Sequence, residues 1–197
     1  MSPHSNEKLL SKAVEVLKQG GLVIFPTDTA FGIGCRIDLP KSVRKLFKVR
    51  QRSEVQAVPI LVDSLTMTQH YLYPLKPEVK NLIKKHWPGA LTIVYPCQTG
   101  KVPSLVRGGG KTLGVRMPQH EIPLYLIKNL GVPLLGTSAN FHGQPTPYQF
   151  ADLDKNILKL VDLVIPGECQ VGLASTVIDC STQPWQLIRQ GSVKLIF

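Results

Sequence analysis

Gly20-Gly21-Leu22-Val23-Ile24-Phe25-Pro26-Thr27-Asp28-Thr29 is the stretch on which the fold turns. Before it, Leu9, Leu10, Ala13, Val14 and Leu17 recur at helical spacing, which predicts an amphipathic helix over 7–19. Gly20-Gly21 ends that helix, as glycine does past a last turn. The unbroken apolar run 22–25 then reads as a buried strand, and Pro26 stops it and opens a polar turn. Helix, strand and polar turn in that order form one α/β unit.

The alternation continues downstream. Pro40 suits a first helical position and predicts a helix to about Val49. Strands are expected at 58–62, 91–95, 113–116 and 132–135, with helices from Pro77 to Trp87-Pro88-Gly89 and over 121–130. A helix near 148–160, strands near 162–165 and 175–179, and a strand pair near 186–196 complete the series. Short connections between alternating elements predict one α/β domain over residues 1–197, with a mixed sheet. The stretch 97–111, irregular and rich in Gly, Lys and Pro, is a candidate flap.

A chain of 197 residues buries about 70% of its unfolded surface. Its formal net charge of +10 fits either a solubilising surface or an anionic partner, a nucleotide or RNA. Cys35, Cys97, Cys169 and Cys180 form no C-x-x-C pair, so no zinc site and no dedicated metal site is expected. Reduced thiols, an N-terminus without an apolar leader and the lack of a long apolar segment predict a cytoplasmic location and no membrane contact.

Three polar turns abut apolar strands: 26–29, Thr137-Ser138-Ala139-Asn140, and Ser175-Thr176. Ligands of open α/β sheets sit outside strand ends, where hydroxyls and backbone N–H groups collect. Arg116 and Arg189 also stand at strand ends, and Lys48, Arg50 and Arg52 alternate after a helix. A guanidinium there is costly to bury without an anion, and its fork matches phosphate and carboxylate. Gly108-Gly109-Gly110-Lys111-Thr112 is no P-loop, because Leu105 stands where the first glycine belongs. Metalloprotease, serine-hydrolase and dinucleotide signatures are missing, and the five histidines are scattered. A site rich in Arg, Ser and Thr suits positioning and charge stabilisation, which phosphoryl and nucleotidyl transfer chiefly need.

Taken together, these motifs resemble the YrdC-like threonylcarbamoyl-AMP synthase family. The resemblance rests on seven segments in order: 20–34 with Pro26-Thr27-Asp28-Thr29, Arg50-Gln51-Arg52-Ser53 with Pro59–Val62, Trp87–Thr92, Val115–Pro118, Ser138-Ala139-Asn140, Ser175–Asp179 and Ile188–Gly191. It implies a twisted α/β sheet with flanking helices around a wide basic cavity. It also implies the reaction of L-threonine, bicarbonate and ATP to threonylcarbamoyl-AMP and pyrophosphate, with Mg²⁺ carried by ATP. The product would feed t6A modification of tRNA through downstream proteins of that pathway. By the same resemblance Thr27, Arg116 and Ser175 hold threonine. Arg50 and Arg52 act in catalysis, and Arg50, Arg52, Thr112, Ser138, Asn140, Thr146 and Arg189 contact ATP.

Departures from the family pattern cluster on the substrate side. Arg50 replaces a lysine if the segment aligns without gaps, whereas Lys48-Val49-Arg50 keeps the letters in a shifted register. Phe31 replaces a tyrosine, Ala90 a proline, and Ala174 a position often held by glutamate, and Gln56-Ala57 is also atypical. The alternative reading is a divergent YrdC-like protein that binds RNA or nucleotide without turnover. A carbamoyl-transfer role of the hydrogenase-maturation kind is expected to bring further domains. Ending soon after Gly191, the chain is expected to lack the C-terminal domain of longer synthases.

Overall fold

The computed structural model describes residues 3–195, with side chains from Glu7 onward. The chain opens with α1 (Pro3–Lys18), followed by β1 (Val23–Phe25), β2 (Gly32–Gly34), α2 (Pro40–Val49) and β3 (Ile60–Leu61). Next come α3 (Leu65–Tyr71), α4 (Pro77–His86), β4 (Leu91–Pro96), β5 (Thr112–Arg116), α5 (Glu121–Leu130), β6 (Leu134–Leu135) and β7 (Thr137–Ser138). A 3₁₀ turn at Phe150–Asp152 leads to α6 (Lys155–Leu158), β8 (Leu163–Val164), β9 (Thr176–Asp179) and β10 (Gln186–Arg189). The expected mixed α/β architecture is present, with its strands in two mixed sheets ordered β7-β2-β1-β8 and β10-β9-β4-β5-β3-β6.

β1 explains why the opening stretch organises the rest. Strand side chains alternate between faces. Leu22 and Ile24 enter the larger core, with Phe31, Leu46, Ile60 and Ile93. Val23 and Phe25 enter a second core, with Leu17 of α1, Leu126 and Ile127 of α5, and Ile165. Burial on both faces requires a continuous apolar run, and each such side chain contributes about 1.5–3 kcal/mol.

The two sheets meet where β6 passes into β7. Gly136 is the corner: a Cβ there would lie 2.5 Å from the Leu61 side chain, so only glycine lets the chain cross. Leu135 N–H donates to Cys35 O at 2.8 Å and Ala139 N–H to Phe31 O at 2.9 Å, which stitches the crossing to the smaller sheet.

Three expectations are corrected. The helix near 148–160 is broken, because Asp152 Oδ2 accepts from Tyr148 and Gln149 N–H and Asp154 Oδ1 caps Asn156 N–H. These caps, at Asp152 and Asp154, leave a 3₁₀ turn and one short helix. The strand pair near 186–196 is one strand, β10, since residues 190–195 form none and 196 lies outside the described residues. The stretch 97–111 is folded onto the body, with Val102 and Val106 buried and Val58 N–H donating to Val106 O at 2.9 Å. The four cysteines are unpaired, and no helix among the described residues is long and apolar enough to cross a membrane.

Candidate functional site

The crossing of the sheets leaves a half-open pocket. The smaller sheet and its loops supply Thr27, Thr29, Phe31, Thr137 and Ser138, and the larger sheet supplies Leu61, Thr92 and Arg116. Arg52, Thr146, Ala174, Ser175 and Arg189 close the remaining sides. Three guanidiniums and no carboxylate are in this wall, among the described residues.

Thr27 organises the polar turn after β1. Its Oγ1 donates to Ala30 O at 2.8 Å and accepts from Thr29 N–H at 3.1 Å and Ala30 N–H at 3.2 Å. One donor and two lone pairs are thereby engaged, so the hydroxyl shapes the turn. That turn aims Asp28 and Thr29 at Arg116. The Arg116 guanidinium donates to Thr29 Oγ1 at 2.8 Å, to Gly89 O at 3.0 Å, and to the Asp28 carboxylate, with which it forms a buried ion pair. Three of its five N–H groups are engaged within the protein, and Arg116 lines the pocket.

Arg50 and Arg52 are separated by a backbone device. Gln51 sits at φ 53°, and Arg52 N–H reaches Phe47 O at 2.9 Å while Gln51 N–H reaches Lys48 O at 3.1 Å. This is a Schellman ending of α2 with glutamine in the left-handed position. It turns Arg50 inward and puts Arg52 on the pocket wall. Arg50, 2% exposed, lies behind the wall. It donates to Asn140 O and Asn140 Oδ1, both at 2.8 Å, and to the Thr137 hydroxyl. No carboxylate meets it among the described residues. Burial, and then the neighbouring Arg52, push its pKa down to about 10. Arg52 donates to Ala57 O at 2.9 Å, and burial lowers its pKa as well.

Arg189 stands at the rim on the edge strand β10. The β10–β9 register slips between Leu187 and Arg189, and this bulge directs Arg189 to Ser175. Its Nε and Nη2 donate to Ser175 O at 3.0 and 2.9 Å, and Nη2 donates to Ser175 Oγ at 3.0 Å. Gly191 allows the approach, because a Cβ there would lie 2.3 Å from Ala174 O. Burial lowers the Arg189 pKa first, Tyr148 acts against the shift, and Arg116 adds to it.

Of the residues expected at the site, Thr27, Arg52, Arg116, Ser138, Thr146, Ser175 and Arg189 are together in the pocket wall. Arg50 and Asn140 are one layer behind, joined to each other. Thr112 is elsewhere: it begins β5, whose other end carries Arg116, and it pairs with Pro96. Lys48 is exposed on α2, whereas Arg52 is in the wall. Phe31 packs its ring edge-on against Phe150, with centroids 5.9 Å apart, a contact that needs no hydroxyl. The sequence reading gave Thr92 no role and named Thr29 and Thr137 only as members of their polar turns. Alternation along 91–96 places Thr92 on the face opposite to the core residues Leu91 and Ile93, which is the signal that could have found it.

Four guanidiniums in or behind the wall against the single Asp28 carboxylate leave an excess of three positive charges. Charges held this closely repel one another unless an anion enters. The fold and the wall therefore define an α/β protein whose two sheets enclose a pocket lined by unneutralised guanidiniums.

More narrowly, the chain belongs to the Sua5/YciO/YrdC family, whose model, described as telomere recombination, matches residues 15–191. It is 30% identical over 193 residues to the threonylcarbamoyl-AMP synthase of Bacillus subtilis, covering 96% of this chain and 55% of that one. The Pyrococcus abyssi Sua5 structure complexed with L-threonine superposes with a TM-score of 0.88 at 32% identity, over 92% of this chain and 54% of that one. Escherichia coli YciO superposes with a TM-score of 0.85 at 26% identity, over 94% and 90%. The chain spans about half the length of the first curated relatives it matches.

Proposed function

We propose that the chain makes threonylcarbamoyl-AMP and pyrophosphate from L-threonine, bicarbonate and ATP. The observation that carries this reading is the excess of guanidinium charge around an acid-free pocket. The fold shared with a Sua5 that binds L-threonine supports it. In this reading the threonine amine combines with bicarbonate to give a carbamate and water. A carbamate oxygen then bonds to the α-phosphorus of ATP as the bond to pyrophosphate breaks. Negative charge grows on the phosphate oxygens, where arginines stabilise it without a dedicated base.

Arg116 and Ser175, buried at the closed end, serve threonine, and Thr27 shapes that end through its turn. Arg52, Arg189, Ser138 and Thr146, on the more open side, serve the nucleotide. Arg50 and Asn140 support them from behind. In this reading Mg²⁺ arrives with ATP, and the Asp28 carboxylate is engaged by Arg116. We also propose that residues 1–197 act as one unit in the cytoplasm and that the product passes to proteins that modify tRNA.

One observation favours the second reading, a binder without turnover: the Thr27 hydroxyl is already engaged within its own turn. Incubation with ATP, L-threonine, bicarbonate and Mg²⁺ separates the two. Synthesis predicts pyrophosphate release that requires threonine. Nucleotide binding with no threonine-dependent release would leave the binder.

A further inference from the structure

The hydroxyls at the closed end of the pocket do not balance. Thr92 Oγ1 and Ser175 Oγ lie 2.9 Å apart. Thr92 is 2% exposed and Ser175 6%, and both are in the wall. Each hydroxyl carries one proton and two lone pairs. Arg189 Nη2 occupies one lone pair of Ser175 Oγ. One proton of the pair lies between the two oxygens. The second has no acceptor among the described residues, whichever of the two donates. A buried donor without a partner is costly, so an acceptor has to come from the pocket.

We infer that Thr92 is a substrate-binding residue: with Ser175 it presents one hydroxyl proton to a carboxylate oxygen of the amino-acid substrate. This rests on the function proposed above and adds a residue to it. Two features select a charged oxygen. The Arg189 guanidinium polarises the Ser175 hydroxyl, and hydrogen bonds in such a chain strengthen one another. The surrounding N–H and O–H groups of Arg116, Arg189 and the pair are donors, which suits an acceptor with several lone pairs. Two features select the amino acid over the nucleotide. The pair is at the buried end, whereas Ser138 and Thr146 are only half-buried. Arg116, the deepest cation in the wall, shares that end, being bonded to Thr29 and to Gly89, which lies just before β4.

Thr92→Val keeps the shape of the side chain and removes the proton; Thr92→Ser keeps the proton. Calorimetric binding of L-threonine and of L-threoninamide, with thermal midpoints for each variant, tests the assignment. The expected result is a loss of threonine affinity of about 10- to 100-fold in Thr92→Val, as for removal of a hydrogen bond to a charged group. Thr92→Ser stays close to the parent, and threoninamide, whose neutral carbonyl is a weaker acceptor than a carboxylate, loses clearly less affinity in Thr92→Val. Equal threonine affinity in Thr92→Val overturns the inference, as does an equal loss for threoninamide or a parent protein that binds no threonine. A fall in affinity matched by a fall in thermal midpoint that Ser does not rescue assigns Thr92 to structure alone and also overturns it. A parent that binds threonine yet releases no pyrophosphate removes the synthase reading and leaves this one standing.

Discussion

Arg116 and Arg50 flank one pocket and are almost equally buried, at 7% and 2% exposure. Their surroundings differ in one respect. Arg116 meets a carboxylate, Asp28, whereas Arg50 meets only carbonyl, amide and hydroxyl oxygens. The first is a closed ion pair that fixes the turn after β1. The second is a positive charge held by dipoles, joined in its effect by Arg52 and Arg189. The difference shows how one fold makes both a rigid wall and an unneutralised field: a counter-ion is placed on one side and withheld from the other.

The strongest way to break this contrast is Asp28→Asn. It keeps the shape of the side chain and leaves Arg116 buried without its counter-ion, which should cost about 3 kcal/mol in equilibrium unfolding. Arg50→Met removes a charge that has no counter-ion to orphan. It leaves Asn140 and Thr137 short of donors, and about 1–2 kcal/mol is expected. If Arg50→Met costs as much as Asp28→Asn, Arg50 is not the uncompensated charge described here.

Gln51→Gly should act in the opposite direction. Glutamine at φ 53° occupies a conformation that glycine adopts freely, so a gain of about 0.5–1 kcal/mol is expected. A loss on denaturant unfolding would mean that the Gln51 side chain contributes more than its backbone strain costs. The smallest effect concerns pH. His120 caps α5 through Nδ1 and reaches Glu168 O at 3.3 Å, and its charged neighbours are Asp28 and Glu121. Burial lowers its pKa below the usual 6.5, although Asp28 and Glu121 act against the shift. The folded state thus favours the neutral ring. Its stabilising effect is complete above the unfolded value of 6.5 and is lost as pH falls through the lowered value. His86 shifts in the same direction through burial and then Lys85. The difference between the parent and His120→Asn, which retains a cap, isolates the His120 part. Identical pH slopes in the two proteins would exclude it.

Elements made of apolar runs and marked ends were legible in the sequence. β1, α2, α4, β4, β5 and α5 are where periodicity, Pro and Gly put them, to within a residue or two. β2 and β7 were not, because Gly32-Ile33-Gly34 and Thr137-Ser138 are too short to carry an alternating or continuous apolar pattern. They are strands because β1 and each other complete their ladders. α3 carries a signal that was overlooked, Ser64, whose Oγ accepts from Met67 N–H at 3.1 Å. Among site residues, the strand-end arginines were readable from the cost of burying charge. Which arginine faces the ligand was not. That depends on a left-handed glutamine and on a bulge, and neither has a composition signature. That the Thr27 hydroxyl is engaged within its own turn was not readable either, since its partners are supplied only by the folded turn.

The central claim is that the uncompensated guanidiniums receive the phosphates of ATP. Arg189 tests it most directly, because it is on an exposed edge strand where truncation leaves the cores untouched. ATP binding should be measured by calorimetry for the parent and for Arg189→Ala, with thermal midpoints in parallel. The account predicts an affinity loss of about tenfold or more with only a small fall in midpoint from the lost bonds to Ser175. Equal ATP affinity in the two folded proteins would contradict it.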